Sequence, residues 1–348
     1  MQGTRRYRLS ILLAVLIAGA CSPTTGDPDG SPTQGSPATS TPTAIARGVE
    51  SAGCNEGVSP GSRTESFRHD GIERTYDLVV PETAQGVAMA VVLSFPGFTN
   101  SSEDQAERSG LAARAPADGF VAVFPQGSDF EGTTPSYFNL ETVDDPSLAD
   151  DVGFTAEILD RVEADLCIDR SRIFVSGFSN GGMFAATLGC ALSDRVAAVA
   201  AVAGVHLLPD CRGRPMPIII THGTADDVVP LSEGDVGPAA LDIIREFGGN
   251  EAQLRMTAAV TGTSVRSWAE SWAQRNECRL IEPAVESAVE SGSVVETTAY
   301  RNCRAGGDVV LQVIEGGDHD WPLTPGPDAT AQALSFFASH PFPIDEPI

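Results

Sequence analysis

The sequence predicts an α/β fold, a mostly parallel sheet with helices on both faces. Three observations predict it. Short, nearly continuous apolar runs recur along the chain, as in strands buried on both faces. Segments with helical spacing alternate with these runs. Pro and Gly end the runs, at Pro81, Pro96-Gly97 and Pro125.

Arg74 to Val80 reads as a strand closed by Pro81, and Ala88 to Phe95 as the next, ended by Pro96-Gly97. A helix is predicted from Ser102 to Ala115, then a buried strand from Phe120 to Phe124. Val152 to Leu166 has helical spacing, with Phe154, Ile158, Leu159, Val162 and Leu166 on one side. Strand Arg172 to Ser176, helix Asn180 to Leu192, and strands Val196 to Ala203 and Ile218 to Thr221 follow. Strand Val309 to Ile314 and helix Ala329 to Ala338 complete the series. Two stretches interrupt it. Ser128 to Asp150 reads as a long polar and aromatic loop, and loops of that length are often functional. Asp235 to Arg304 holds an insertion, a helix around Trp268 and Trp272, and a candidate β-hairpin.

Ahead of this domain the chain has a different character. Arg5, Arg6 and Arg8 precede an apolar run from Leu9 to Ala18 and then small residues up to Cys21, the order of an export signal over residues 1–20. The run is about half the ~20 apolar residues a membrane-spanning helix needs. Ala18-Gly19-Ala20-Cys21 resembles a bacterial lipoprotein cleavage box, which implies a lipid on Cys21. Ser22 to Thr43 is almost wholly Ser, Thr, Pro, Gly and Asp, so residues 21–48 read as a tether too polar to bury a core. Residues 49–348 suffice for one folded domain.

Composition narrows the partners. All 22 basic residues are Arg, against 47 acidic ones, for a net charge of −25. Such a surface argues against nucleic acid and against charge-driven binding to anionic lipid, which leaves the lipid at Cys21 as the only membrane contact. Without Cys21, six of the seven cysteines remain: Cys54, Cys167, Cys190, Cys211, Cys278 and Cys303. An even set in an exported chain reads as disulfides, though six cysteines permit about 15 pairings. No CxxC pair is present and the five histidines are scattered, so no zinc site, metal or organic cofactor is expected.

The chemistry centres on Gly177-Phe178-Ser179-Asn180-Gly181, which fits the G-x-S-x-G nucleophile elbow. Gly57-Val58-Ser59-Pro60-Gly61 fits the same pattern, and context separates the two. Ser179 follows the apolar strand ending Ile173-Phe174-Val175 and precedes a helix, while Gly177, Gly181 and Gly182 leave room for a strained turn. That arrangement exposes a serine oxygen and aims helix-terminal N–H groups at a developing oxyanion. Ser59 has no such strand, and Pro60 has no N–H to donate. A serine hydroxyl needs a base, and the base needs an acid to orient it. In the α/β-hydrolase order of Ser, acid, His, only His319 and His340 follow the candidate acids. His319 sits in a loop just past a strand end, where this architecture gathers its site, whereas His340 lies beyond the last helix. For the acid, Asp226 and Asp227 both follow the strand Ile218 to Thr221.

Several segments then agree in order and spacing with one group. They are Ser94-Phe95-Pro96-Gly97-Phe98, Asp150-Asp151-Val152-Gly153-Phe154, Cys167-Ile168-Asp169, the Ser179 elbow through Met183, His222-Gly223-Thr224-Ala225-Asp226 and Asp318-His319-Asp320-Trp321-Pro322. Through them the chain resembles secreted α/β-hydrolase esterases of the polyhydroxybutyrate depolymerase and feruloyl esterase type, which include actinobacterial lipoproteins. The resemblance implies Asp226 as the acid and the backbone N–H groups of Phe98 and Asn180 as the oxyanion hole. Where the family usually carries His, this chain has Pro96. The family's cysteine pattern implies Cys190–Cys211 and Cys278–Cys303, leaving Cys54–Cys167. It also implies an exported serine esterase, either secreted or held at the cell surface and expected to be a monomer. Its substrates would be hydroxyalkanoate oligomers or feruloyl and acetyl esters of polysaccharide. Tyr137, Phe138 and Trp321 are candidates to stack on an aromatic acyl group or a sugar. A serine peptidase of the same fold and a lipid-tethered binding protein are the alternatives.

Overall fold

The structure, a computed structural model, describes residues 50–55, 59–82, 87–130, 133–140, 148–206, 211–232, 263–279, 284–290, 292–323 and 326–343, with single positions 237, 239, 242 and 246. The expected export segment, Cys21 and the tether lie outside the described residues.

In chain order the elements are β1 (Gly61–His69), β2 (Ile72–Val80), β3 (Met89–Phe95), α1 (Ser102–Ser109), α2 (Leu111–Asp118), β4 (Phe120–Pro125), β5 (Ser128–Phe130), β6 (Thr133–Tyr137), α3 (Asp151–Asp165), β7 (Ile168–Phe178), α4 (Asn180–Ala191), β8 (Ala198–Val202), β9 (Ile218–Gly223), α5 (Val265–Arg275), β10 (Ala284–Glu290), β11 (Ser293–Tyr300), β12 (Val309–Ile314) and α6 (Ala329–Ser339). Ten of the strands form one sheet, in the order β1-β2-β4-β3-β7-β8-β9-β12-β11-β10. The run from β4 to β12 is parallel throughout. Antiparallel strands flank it, β2 and β1 on one side and β11 and β10 on the other.

The apolar runs form the parallel centre because successive side chains point to opposite faces and both faces are covered. On one face Val91, Leu93, Val175 and Val199 pack with Phe154, Ile158 and Leu159 of α3, Phe184 of α4 and Trp268 and Trp272 of α5. On the other, Val92, Phe174, Ala200 and Ile219 pack with Leu111 and Ala115 of α2 and Phe336 and Phe337 of α6. Phe174 and Phe337 stack with ring centres 4.6 Å apart.

Local departures from the sequence-based expectations have physical causes. The helix expected from Ser102 to Ala115 divides at Gly110, which takes a left-handed φ of 65° and so ends α1 and opens α2. β1, which no apolar run signals, pairs with β2 along its whole length and buries only Phe67. Ser128 to Asp150 contains the β5–β6 hairpin, followed by buried Phe138, Asn139 and Leu140. The candidate hairpin of the insertion is β10–β11. Disulfides join Cys54 to Cys167, Cys190 to Cys211 and Cys278 to Cys303, the pairing that the resemblance implies. No helix among the described residues is long and apolar enough to cross a membrane.

Candidate active site

Ser179 lies between β7 and α4, two elements that leave it little conformational choice. Its backbone sits at φ 53°, ψ −120°, a region costing a non-glycine residue on the order of 1–3 kcal/mol. The neighbours hold it there. Its N–H donates to the Val202 carbonyl on β8 at 2.9 Å. At Gly181 any Cβ would collide with the carbonyl oxygens of Phe95 and Pro96, so β3 and α4 approach only because no side chain intervenes. The other elbow match, Ser59, is an exposed residue ahead of β1 whose carbonyl accepts from Arg63 Nη1 at 3.0 Å.

His319 and Asp226 come from the loops after β12 and β9, adjacent parallel strands. The two loops are stitched together. Thr224 N–H donates to Ile314 O at 3.0 Å, Ala225 N–H to Gly317 O at 2.9 Å, and Gly316 N–H to Thr224 Oγ1 at 2.8 Å. His319 Nε2 is 3.0 Å from Ser179 Oγ, and its Nδ1 is 2.8 Å from Asp226 Oδ2. An ionised carboxylate only accepts, so Nδ1 carries the proton and Nε2 is left to accept from the serine hydroxyl.

Asp226 is buried and Asp227 is exposed. Burial alone would push the Asp226 carboxyl up, but hydrogen bonds from His222 and His319 hold it well below the usual carboxylate range. Its Oδ1 accepts from the N–H groups of Val228 and Val229 at 3.0 and 2.7 Å. The His222 contribution is one that sequence reasoning left unassigned. His222 is buried, and its Nε2 donates to Val229 O at 2.7 Å while lying 3.2 Å from Asp226 Oδ2. The His-Gly pair before the acid was the available signal. His340, the other late histidine, closes the end of α6, with Nδ1 2.8 Å from Phe336 O.

Asn180 opens α4, so its N–H belongs to the unpaired first turn of a helix whose positive end faces the elbow. Phe98 follows Gly97 in the turn after β3. That turn packs on the elbow, since a Cβ at Gly97 would lie 3.3 Å from Ser179 Cβ and 3.0 Å from Phe178 Cδ1. Phe178 in turn packs 4.9 Å from the His319 ring and under the Arg108 guanidinium.

Two of the three aromatic pocket candidates are packing residues. Phe138 is 1% exposed, stacked on Phe184 at 4.9 Å and edge-on to Phe95 at 5.2 Å. Trp321 is 3% exposed and donates through Nε1 to Thr330 Oγ1 at 2.9 Å. Only Tyr137 retains partial exposure.

Residues 122–255 match the phospholipase/carboxylesterase family. The chain is 30% identical over 247 residues to the Nocardia uniformis subsp. tsuyamanensis protein named "Putative esterase NocK", covering 70% of this chain and 67% of that one. It is 28% identical over 239 residues to feruloyl esterase B of Piromyces equi, covering 67% of this chain and 40% of that longer protein. The acetyl xylan esterase structure from Aspergillus awamori superposes with a TM-score of 0.54 at 12% identity, over 79% of this chain and 99% of that one, a likeness of fold.

Proposed function

The chain belongs to the α/β-hydrolase esterases, serine hydrolases acting on carboxylic ester bonds, and on that premise we propose that Ser179, His319 and Asp226 carry the reaction through an acyl-enzyme. The observation that carries this reading is the unbroken hydrogen-bond chain from Ser179 Oγ through His319 to Asp226. In the acylation step, His319 Nε2 takes the hydroxyl proton as Ser179 Oγ bonds to the ester carbonyl carbon. The N–H groups of Phe98 and Asn180 hold the oxygen that becomes negative. Collapse of that intermediate breaks the ester C–O bond, and the imidazolium returns its proton to the departing alcohol. Water, deprotonated by His319, then releases the acid and restores Ser179. Asp226, ionised and buried, offsets the positive charge that His319 carries in both steps.

For the substrate we propose feruloyl or acetyl esters of polysaccharide, because relatives named for those activities align with the chain. The three disulfides support export, since such bonds persist in oxidising compartments. A lipid on Cys21 would then hold the domain at the cell surface. The test is turnover by the full chain of p-nitrophenyl esters of rising chain length, methyl ferulate, acetylated xylan, a hydroxybutyrate trimer and casein. A preference for ferulate or acetyl esters is the expected result. Preference for the trimer would contradict the substrate proposal, and casein cleavage at a comparable rate would mark a peptidase.

A further inference from the structure

The segment Ser136–Asn139, which no site residue of the proposed mechanism occupies, is tied to both loops that would supply the oxyanion hole. On one side Thr99 N–H donates to Ser136 O at 2.8 Å, and Ser136 Oγ donates to Asn100 O at 2.6 Å. On the other, Asn180 Oδ1 accepts from Phe138 N–H at 2.8 Å, and Asn180 Nδ2 donates to Phe138 O at 3.1 Å. The carboxamide thus pairs with Phe138 as a neighbouring strand would. Behind the segment, Asn139 N–H donates to Asp151 Oδ2 at 2.8 Å, and Asp151 is fully buried against Arg74 at 2.6 Å. The Phe138 ring is locked between Phe95 and Phe184.

The two loops need such a tie. Thr99 stands at φ 71°, a left-handed conformation unfavourable for a β-branched residue, so its neighbours must impose it. Pro96 brings the turn no N–H and no polar side chain with which to brace itself. Hydrogen-bond donors aimed at a developing charge act only if their spacing is fixed before the reaction.

We propose that Ser136 and the Asn180 carboxamide are positioning residues of the oxyanion hole. The segment from Ser136 to Phe138 is the spacer between the Phe98 turn and the start of α4. This rests on the proposed mechanism, in which the Phe98 and Asn180 N–H groups hold the oxyanion. The brace stabilises the transition state through geometry, so its loss appears in kcat rather than in KM.

The experiment compares Ser136→Ala, Asn180→Ala, the double variant and Ser179→Ala, in the full chain with its disulfides intact. It reads kcat, KM, thermal midpoint and the inhibition constant of a trifluoromethyl ketone, whose adduct carries an oxyanion. Asn180→Ala should lower kcat roughly 10–100-fold with KM changed less than about threefold, the size expected of donors displaced by about an ångström. The ketone should weaken by the same factor as kcat/KM. The double variant should lose less than the product of the single losses, because both residues brace one segment. Unchanged kcat and ketone affinity, with only the thermal midpoint lowered, would overturn the proposal. Should Asn180→Ala fail to fold, Ser136→Ala removes a single hydroxyl and carries the same test. Full activity in Ser179→Ala would instead sink the underlying mechanism, while an inert Ser179→Ala beside fully active brace variants would sink the brace alone.

Discussion

Asp226 and Asp227 are adjacent in the chain, yet one is enclosed by His222, His319 and two backbone N–H groups while the other faces water. Asp226→Asn should lower kcat on the order of 10³–10⁴-fold, because the imidazole loses its orienting partner. Asp227→Asn should stay within about threefold of the parent. The hydrogen bonds from His222 and His319 also give the Asp226 carboxyl a pH dependence. Asp226 has its folded carboxyl depressed, so its stabilising contribution is complete above the unfolded value near ~3.9 and is lost as pH falls through the lower folded value. Thermal midpoints measured from pH 7 downward should therefore fall more steeply below pH ~4 in the parent than in Asp226→Asn. The sequence placed an acid in this loop but could not choose between the two by position, since both follow β9; the family motif made the choice. Ser179 was legible because a strand and a helix flank it. The roles of His222 and of the Asn180 carboxamide were not, because their partners Val229, Asp226 and Phe138 are brought to them only by folding.

At the scale of elements, the aromatic residues near the site illustrate what a one-dimensional reading misses. An aromatic beside an elbow looks alike in sequence whether it faces substrate or core. Here the ring of Trp321 closes over Phe178, Val202, Ala203 and Ala329, fastening the His319 loop to the start of α6. Trp321→Ala should cost about 3–5 kcal/mol in chemical denaturation and leave the ranking of ester substrates unchanged. A second junction depends on pH. His69, at the end of β1, lies 3.0 Å from Glu157 and 3.1 Å from Asp150, which caps α3. Burial works against its charge, but hydrogen bonds to Glu157 and Asp150 win and raise its pKa above the ordinary histidine value. A raised folded pKa gives stability that is fully present below the unfolded value near ~6.5 and lost as pH rises through the folded one. Between pH 6 and pH 9 the parent should therefore lose more thermal stability than His69→Gln. A parallel decline in both proteins would mean that His69 contributes nothing to the pH dependence.

For the whole molecule, the parallel centre of the sheet was readable because strands buried on both faces must be apolar without interruption. Of the flanking strands, β1 was not, since it carries one buried apolar side chain and an edge strand needs no more. Disulfides cross-link the domain away from that edge. Cys54–Cys167 spans 113 residues and fastens the segment ahead of β1 to the start of β7, beside the bond from Ser51 Oγ to Leu166 O at 2.6 Å. Cys190–Cys211 spans 21 residues. On loop-closure entropy, removing the first should cost about 5 kcal/mol and the second about 3, so paired Cys→Ser variants should rank in that order in guanidinium unfolding.

The proposed mechanism requires that Ser179 become acylated during turnover. The most direct measurement mixes the full chain with p-nitrophenyl acetate, quenches in acid within the first turnovers, and maps peptides by mass spectrometry. One acetyl group is expected, on the peptide containing Ser179, and it should be absent from Ser179→Ala together with the p-nitrophenol release. Ester hydrolysis that persists in Ser179→Ala, or an acetyl group found on another residue, would contradict it.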